Sequence, residues 1–373
     1  MQHLRFFLAR PALLRPIAPL LAVAALTALL PACGQFGPRF IEASRTDYNI
    51  AMNTTEGEQM LLNLVRLRYG DSPYFLEASA LNTQFLIAPS ATISSSFDFN
   101  GNNSYGLGGR LAYEEKPTVT YVPLRGQEFV RQVLSRVSLE TVLLLDASGC
   151  STERVLRLCV EKMNGLDNAA RASGPTPTEA PDVDRFRRAI GLLADFESHG
   201  DLVLFRKQVG EHAGFVARFA DPARQSAAFK ELSALLGLDP GISEYAITLN
   251  QVTDSRQTIN FATRSFMGVM YFLAQSVEVP TNDIDAGRVT VTEDSAGQAF
   301  DWAEVTGGLM KIASSKKRPG NIAVAVNYRG LWFYIDDSDL QSKSTFSLLE
   351  QLYALQSDGD SGNAPILTLP IGG

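Results

Sequence analysis

The densest group of reactive side chains in this sequence is Asp336-Asp337-Ser338-Asp339. Carboxylates set so close could ligate calcium, or act as an acid–base pair on a glycosidic bond. The same residues also suit a turn followed by a helix N-cap, because acids favour a helix N-terminus. The EF-hand spacing, with its glycine and closing glutamate, is missing. Asp358-Gly359-Asp360-Ser361-Gly362-Asn363 has a calcium-like composition but reads as a loop near the end of the chain. His199 and His212 lie in no triad or metal motif; His199 precedes Gly200 at a helix end, where an imidazole can cap carbonyls. G-x-S-x-G, HExxH and SxxK with its companions are absent. Gly106, Gly108 and Gly109 sit inside an alternating strand pattern, so they form no phosphate loop. Trp332-Phe333-Tyr334 and Tyr328 could line a ligand groove, though aromatics in strands more often pack a core. These residues yield no catalytic, cofactor-binding or metal assignment, and a non-enzymatic role is expected.

Cys33 has the clearest chemistry. Arg5, Arg10 and Arg15 precede an apolar run from Ile17 to Leu30, with no acid in between. That is the layout of a secretory signal, and the run is shorter than the ~20 residues of a spanning helix. Leu30-Pro31-Ala32-Cys33-Gly34 follows. It resembles the lipobox of bacterial lipoproteins, with Pro31 departing from the usual residue two places before the cysteine. The resemblance implies cleavage before Cys33, diacylglycerol on its sulfur and acylation of the new amine. Gly34 in place of aspartate implies sorting to the outer membrane. Multiple acyl chains, each CH₂ contributing ~0.8 kcal/mol, make a stable anchor.

Cleavage removes three arginines and no acid, so the formal charge of −7 becomes −10. An acidic chain without a basic run is a poor binder of nucleic acid or anionic lipid. Hydrophobic residues at 45% and charged residues at 20% describe a globular protein. Cys150 and Cys159 remain. Ser151 reads as the N-cap of a helix holding Cys159, which separates the two by ~12 Å, beyond the ~7 Å limit for a disulfide. Both are expected as buried thiols.

The pattern of elements predicts an α+β fold of mixed helices and antiparallel strands, with a long β-hairpin near residues 92–122. Residues 1–32 read as the signal peptide and 33–53 as a lipid-anchored tether. Residues 54–170 read as an α+β region with the hairpin and helices, 171–181 as a proline-rich linker, and 182–373 as a second α+β region. Helices are expected over Glu58 to Tyr69, Gln127 to Leu134, Leu139 to Leu145, Thr152 to Met163, Val183 to Phe196, Pro222 to Leu236, Thr263 to Gln275 and Thr345 to Leu355. Asn164-Gly165 reads as the cap of the fourth of these. Strands are expected over Tyr74 to Ile87, Leu202 to Gln208, Phe215 to Phe219, Tyr245 to Gln251, Arg288 to Val291, Leu309 to Ser314, Ile322 to Tyr328, Leu331 to Ile335 and Ile366 to Leu369. Period-two alternation on Thr92 to Phe99 and Tyr105 to Tyr113, around Gly101-Asn102-Asn103-Ser104, is the hairpin signal. Ile93, Ser95, Phe97, Phe99, Tyr105, Leu107, Gly109, Leu111 and Tyr113 share one face, and small or polar residues the other. Such a face suits a soluble core or, in a ring of subunits, a lipid-facing barrel wall.

Three blocks, LLNLVRLRYGDSPYFL from Leu61, TVTYVPLRGQEF from Thr118 and YRGLWFYIDDSDLQSKSTFSLLEQLYALQ from Tyr328, resemble an uncharacterised family of bacterial lipoproteins with no assigned activity. The resemblance implies a lipid-anchored envelope protein on the periplasmic face of the cell outer membrane. The expected role is a scaffold or accessory subunit of an envelope assembly, with envelope protein partners, a membrane contact through the lipid, and no nucleic acid. Two alternatives stay open: a homo-oligomeric pore or export component using the 92–113 hairpin, and a periplasmic hydrolase using Asp336, Asp337 or Asp339.

Overall fold

A computed structural model describes residues 36–96, 104–209, 212–250 and 255–357. The signal segment, Cys33, the turn around Gly101, the run from Asp358 and the strand expected from Ile366 lie outside those residues. The fold is α+β, with helices interleaved among antiparallel and mixed sheets. Two compact units divide the chain, residues 1–57 and 58–373.

Helix α1 is Phe36–Arg68. The segment expected as a tether is helical from Phe36, because no proline or glycine interrupts residues 39–56. Its described side chains up to residue 56 are mostly exposed. In the second unit the helix buries the expected apolar stripe of Met60, Leu61, Leu64, Val65 and Leu67. Gly70, with φ of 74°, ends it.

Strands β1 (Leu76–Ser96) and β2 (Ser104–Pro123) form an antiparallel hairpin registered from Leu76↔Pro123 to Ser96↔Ser104. The first arm therefore starts at Leu76, and the two extended stretches read on either side of Pro89 are one strand. Proline breaks a strand only where its missing N–H is needed, and each strand of a two-stranded sheet has one free edge. Pro89 and Pro117 both sit within the ladder.

Helices α2 (Gln127–Leu134), α3 (Leu139–Ala147) and α4 (Thr152–Cys159) follow. The helix expected to reach Met163 stops at Cys159 and becomes β3 (Val160–Met163), paired with β4 (Leu166–Asp167). Asn164 and Gly165, at φ of 43° and 83°, form the two-residue hairpin turn rather than a helix cap. Next come α5 (Asp184–Ser198), β5 (Leu202–Val209), β6 (His212–Phe219), α6 (Asp221–Arg224), α7 (Ala227–Leu236), β7 (Glu244–Leu249) and β8 (Thr258–Thr263). The single helix expected from Pro222 is two, because Ser226 Oγ accepts from Phe229 N and starts a new one. Strand β8 lies outside the expected strands.

The main sheet has strand order β4-β3-β8-β7-β6-β5, parallel only between β7 and β8. Strands from both sides of residues 171–181 join it through the β3–β8 pair. That polar stretch is thus a crossing on one compact unit and not a boundary between two. Helix α8 (Phe266–Ala274) lies almost wholly in the core. Among the described residues no helix is long and apolar enough to cross a membrane.

The remaining elements are α9 (Thr281–Asp285), α10 (Ala303–Thr306), β9 (Ala313–Ser315), β10 (Ile322–Tyr328), β11 (Leu331–Asp336) and α11 (Leu340–Ser357). The second sheet has order β10-β11-β9. The strand expected at Arg288 to Val291 is irregular chain, with isolated bridges at Glu293 beyond it. Arg329-Gly330 makes the expected tight turn, at φ of 51° and 82°.

Candidate functional site

The β1–β2 hairpin is the feature that the rest of the fold positions. Its base is tied to α1 by two amides one helical turn apart. Asn63 Nδ2 donates to Tyr74 O at 2.9 Å, and Tyr74 N donates to Asn63 Oδ1 at 2.9 Å. Gln59 does the same with Leu76, at 3.0 and 2.9 Å. The helix side chains therefore act as a strand neighbour for the start of β1. Between these two residues Phe75 is buried, stacked on Tyr353 at 5.4 Å and edge-on to Phe129 at 5.6 Å. Leu124 N donates to Phe75 O at 3.0 Å and closes the return arm onto the same point.

Beyond this base, β1 and β2 pack on each other and, among the described residues, touch other elements only marginally. The two strands are a complete sheet, so each has an outer edge that no other described strand pairs. Tyr121 and Val122, near the base, are exposed at 47% and 45%. Along the ladder Ile87 stands opposite Tyr113, Pro89 opposite Leu111 and Ile93 opposite Leu107. Positions of the other parity pair Gln84 with Lys116, Ser90 with Arg110 and Ser94 with Gly106. Over Ile87 to Ser95 and Tyr105 to Tyr113 the register thus sets the large apolar residues on one face, together with Ser95 and Gly109, and only small or polar residues on the other.

The acidic cluster is distributed among structural tasks. Asp336 Oδ1 accepts from Ser338 Oγ, from Ser338 N at 2.9 Å and from Asn321 Nδ2 at 3.0 Å, which forms the turn after β11; the Ser338 hydroxyl first, then its N–H, holds the carboxyl below the usual range. Asp337 pairs with Lys343 at 2.6 Å. Asp339 precedes α11 and accepts from Ser342 N at 3.0 Å and Ser342 Oγ at 2.6 Å, a helix N-cap. Asp339 borders an open depression of about 630 Å³ lined also by Arg68, Gln275, Trp302 and Lys311. Both Asp339 oxygens are engaged by Ser342.

A second carboxylate pair was not anticipated. Asp146 and Glu197, far apart in sequence, share the hydroxyl of Thr152, which lies 2.7 Å from Asp146 Oδ1 and also contacts Glu197. Burial, then the Asp146 charge, raises the Glu197 carboxyl against the lowering effect of the Thr152 bond. The pair borders an apolar cavity of about 40 Å³, room for little more than a water molecule. Only the tertiary packing of α3, α4 and α5 brings these residues together.

His199 caps its own helix, with Nδ1 2.7 Å from Asp195 O. His212 opens β6. Cys150 and Cys159 are both free; Cys159 is buried as expected, while Cys150 is only partly so. Burial pushes the Cys159 thiol up to about 12. Phe333 is a core residue, Trp332 lies under the Arg318 guanidinium, and Tyr328 packs edge-on to Tyr69 at 5.7 Å. Among the described residues no group of three or more His, Cys, Asp or Glu could hold a metal ion.

The fold and this site define an α+β protein that carries a long, two-stranded β-arm with open edges. No family model, no curated protein and no solved structure matches the chain.

Proposed function

We propose that the mature protein is a lipid-anchored envelope lipoprotein on the periplasmic face of the outer membrane. Its role is non-enzymatic: a scaffold or accessory subunit of an envelope assembly. The β1–β2 hairpin is its assembly element. The observation that carries this reading is the hairpin's outer edges, which no other described strand pairs along strands of 21 and 20 residues. An isolated two-stranded hairpin is marginal in water, and a long open edge is a template for another chain. Strand addition at such an edge is a standard mode of protein recognition. The clustered acids already serve a turn, an ion pair and a helix cap, which favours the scaffold over the hydrolase. The lipobox at Cys33 supports the membrane tether.

Labelling with a palmitate analogue tests the tether: the label enters the wild type and is lost in Cys33→Ser. Crosslinking with mass spectrometry in membranes of the native host tests the role. Crosslinks between the hairpin and another protein chain are expected, and recovery of no protein partner contradicts the scaffold.

A further inference from the structure

Resting on that reading, we propose that the hairpin's partners are further copies of this chain. Hairpins from several copies join edge to edge into one β-barrel that crosses a bilayer.

The ladder has the dimensions of such a wall. Ile87 to Ser95 runs opposite Tyr105 to Tyr113. Each stretch holds about nine residues, which is what a transmembrane strand requires. Along the strand the tyrosines are ~27 Å apart, which at the ~35–45° tilt of barrel strands covers ~19–22 Å of height, somewhat less than the ~25 Å apolar band of membrane barrels that aromatic girdles flank at both interfaces. Within the band one register face carries Ile87, Ile93, Leu107 and Leu111. Directly past Tyr113 the charged run Glu114-Glu115-Lys116 ends it, opposite Leu86, Phe85 and Gln84. The other face is the polar one, with Ser90, Thr92, Ser94 and Arg110, the composition of a wet lumen.

The edges decide which partner completes the sheet. No water is available in hydrocarbon to satisfy an open edge, so spanning strands must close into a barrel. In a ring of copies, β2 of one copy lies antiparallel to β1 of the next. Every edge is then met by the same contact, a head-to-tail interface that closes by rotation. Two strands per copy give an even number, and the smallest membrane barrels have about 8, so at least about four copies are needed. Pro89 supplies no N–H, which leaves the seam between copies one bond short at that rung. The amides of Gln59 and Asn63 fix the root of each hairpin, so neighbouring copies present their arms alike.

The test uses full-length protein extracted from membranes in detergent. Its native mass and its conductance in planar bilayers are measured for three forms: wild type, the triple variant Ile93→Asp/Leu107→Asp/Leu111→Asp, and Thr92→Asp/Ser94→Asp. Wild type is expected as a multimer with stepwise conductance. The triple variant loses assembled protein and conductance by at least ~10-fold, because carboxylates on a lipid face oppose insertion. An unchanged melting transition of its helical core shows that it has folded. The Thr92/Ser94 variant keeps the ring and gains selectivity for cations. Monomeric, non-conducting wild type overturns the barrel, as does a folded triple variant that matches wild type. If wild type is monomeric but its hairpin crosslinks to a different envelope protein, the barrel fails and the scaffold reading stands. If the hairpin meets no chain at all, both fail.

Discussion

Gln59 and Leu76 exchange two hydrogen bonds, the helix amide donating to the strand carbonyl and accepting from the strand N–H. With Asn63 and Tyr74 doing the same one turn further on, α1 serves as a third strand at the hairpin's root. Asn63 is fully buried, and removing its amide leaves the N–H and C=O of half-buried Tyr74 without that partner. Asn63→Ala is expected to destabilise the second unit by about 1–3 kcal/mol, two hydrogen bonds at ~0.5–1.5 kcal/mol each. Gln59→Ala, in a half-buried setting, has a smaller effect. Urea unfolding followed by circular dichroism measures both, and equal effects would contradict the ranking.

Arg264 is fully buried and, among the described residues, pairs with no carboxylate. Its Nη1 donates to the carbonyls of Arg157, Leu158 and Val160 at 3.1, 3.0 and 2.8 Å, and its plane lies 4.1 Å from the Phe272 ring centroid. The guanidinium thus closes the C-terminus of α4, where a cation is favoured. Desolvation lowers its pKa to about 10, which leaves it charged at neutral pH. Arg264→Met is expected to cost roughly 3–5 kcal/mol by orphaning several carbonyls. Arg264→Lys fails to rescue, since an ammonium lacks the planar fork. Full rescue by lysine, read as an unchanged melting temperature, would contradict this role.

The two free cysteines differ in reactivity. Cys159 is inaccessible and its thiol is held in the protonated form up to about pH 12, while Cys150 is partly exposed. In native protein, iodoacetamide modifies Cys150 first, and Cys159 reacts only after unfolding. Peptide mapping after timed alkylation reads the order directly.

Asp283 joins three segments: it accepts from Tyr69 Oη at 2.7 Å and pairs with Arg288 at 2.5 Å. The Tyr69 hydroxyl first, and Arg288 with it, holds its carboxyl below the usual range. Asp71 is lowered in the same way, by Tyr328 and then Arg329. A carboxylate depressed in the fold adds stability above its unfolded value near ~4, and that stability is lost as pH falls through the folded value. Melting temperature is therefore expected to fall steeply below about pH 4. Asp283→Asn lowers stability at pH 7 by about 1–2 kcal/mol and flattens that fall. A variant with the wild-type pH profile would exclude the linkage.

Local patterning carried much of the fold. The stripe from Met60 to Leu67, the helix Gln127–Leu134 and the strands around Arg329-Gly330 follow from periodicity and turn chemistry alone. Two misreadings share a cause. Asn164-Gly165 closes either a helix or a hairpin, and the alternation of Thr92 to Phe99 does not show that it continues the stretch ending at Ile87; tertiary pairing decides each case. The amphipathic hairpin was legible in the alternation, and its full length was not. The amides of Gln59 and Asn63 read as ordinary polar helix residues, because their partners at Leu76 and Tyr74 lie across a turn. Likewise, Asp146 and Glu197 meet only through packing.

The most direct measurement of the central claim is photo-crosslinking in living cells. A photoreactive residue at Tyr121, exposed on the hairpin, is compared with one at Leu144, exposed on α3. The hairpin position is expected to give a discrete crosslinked protein species in the membrane fraction, absent from the α3 position and lost when residues 80–119 are deleted. A hairpin position that captures no protein, or a crosslinked species that survives deletion of the hairpin, would contradict the assembly role.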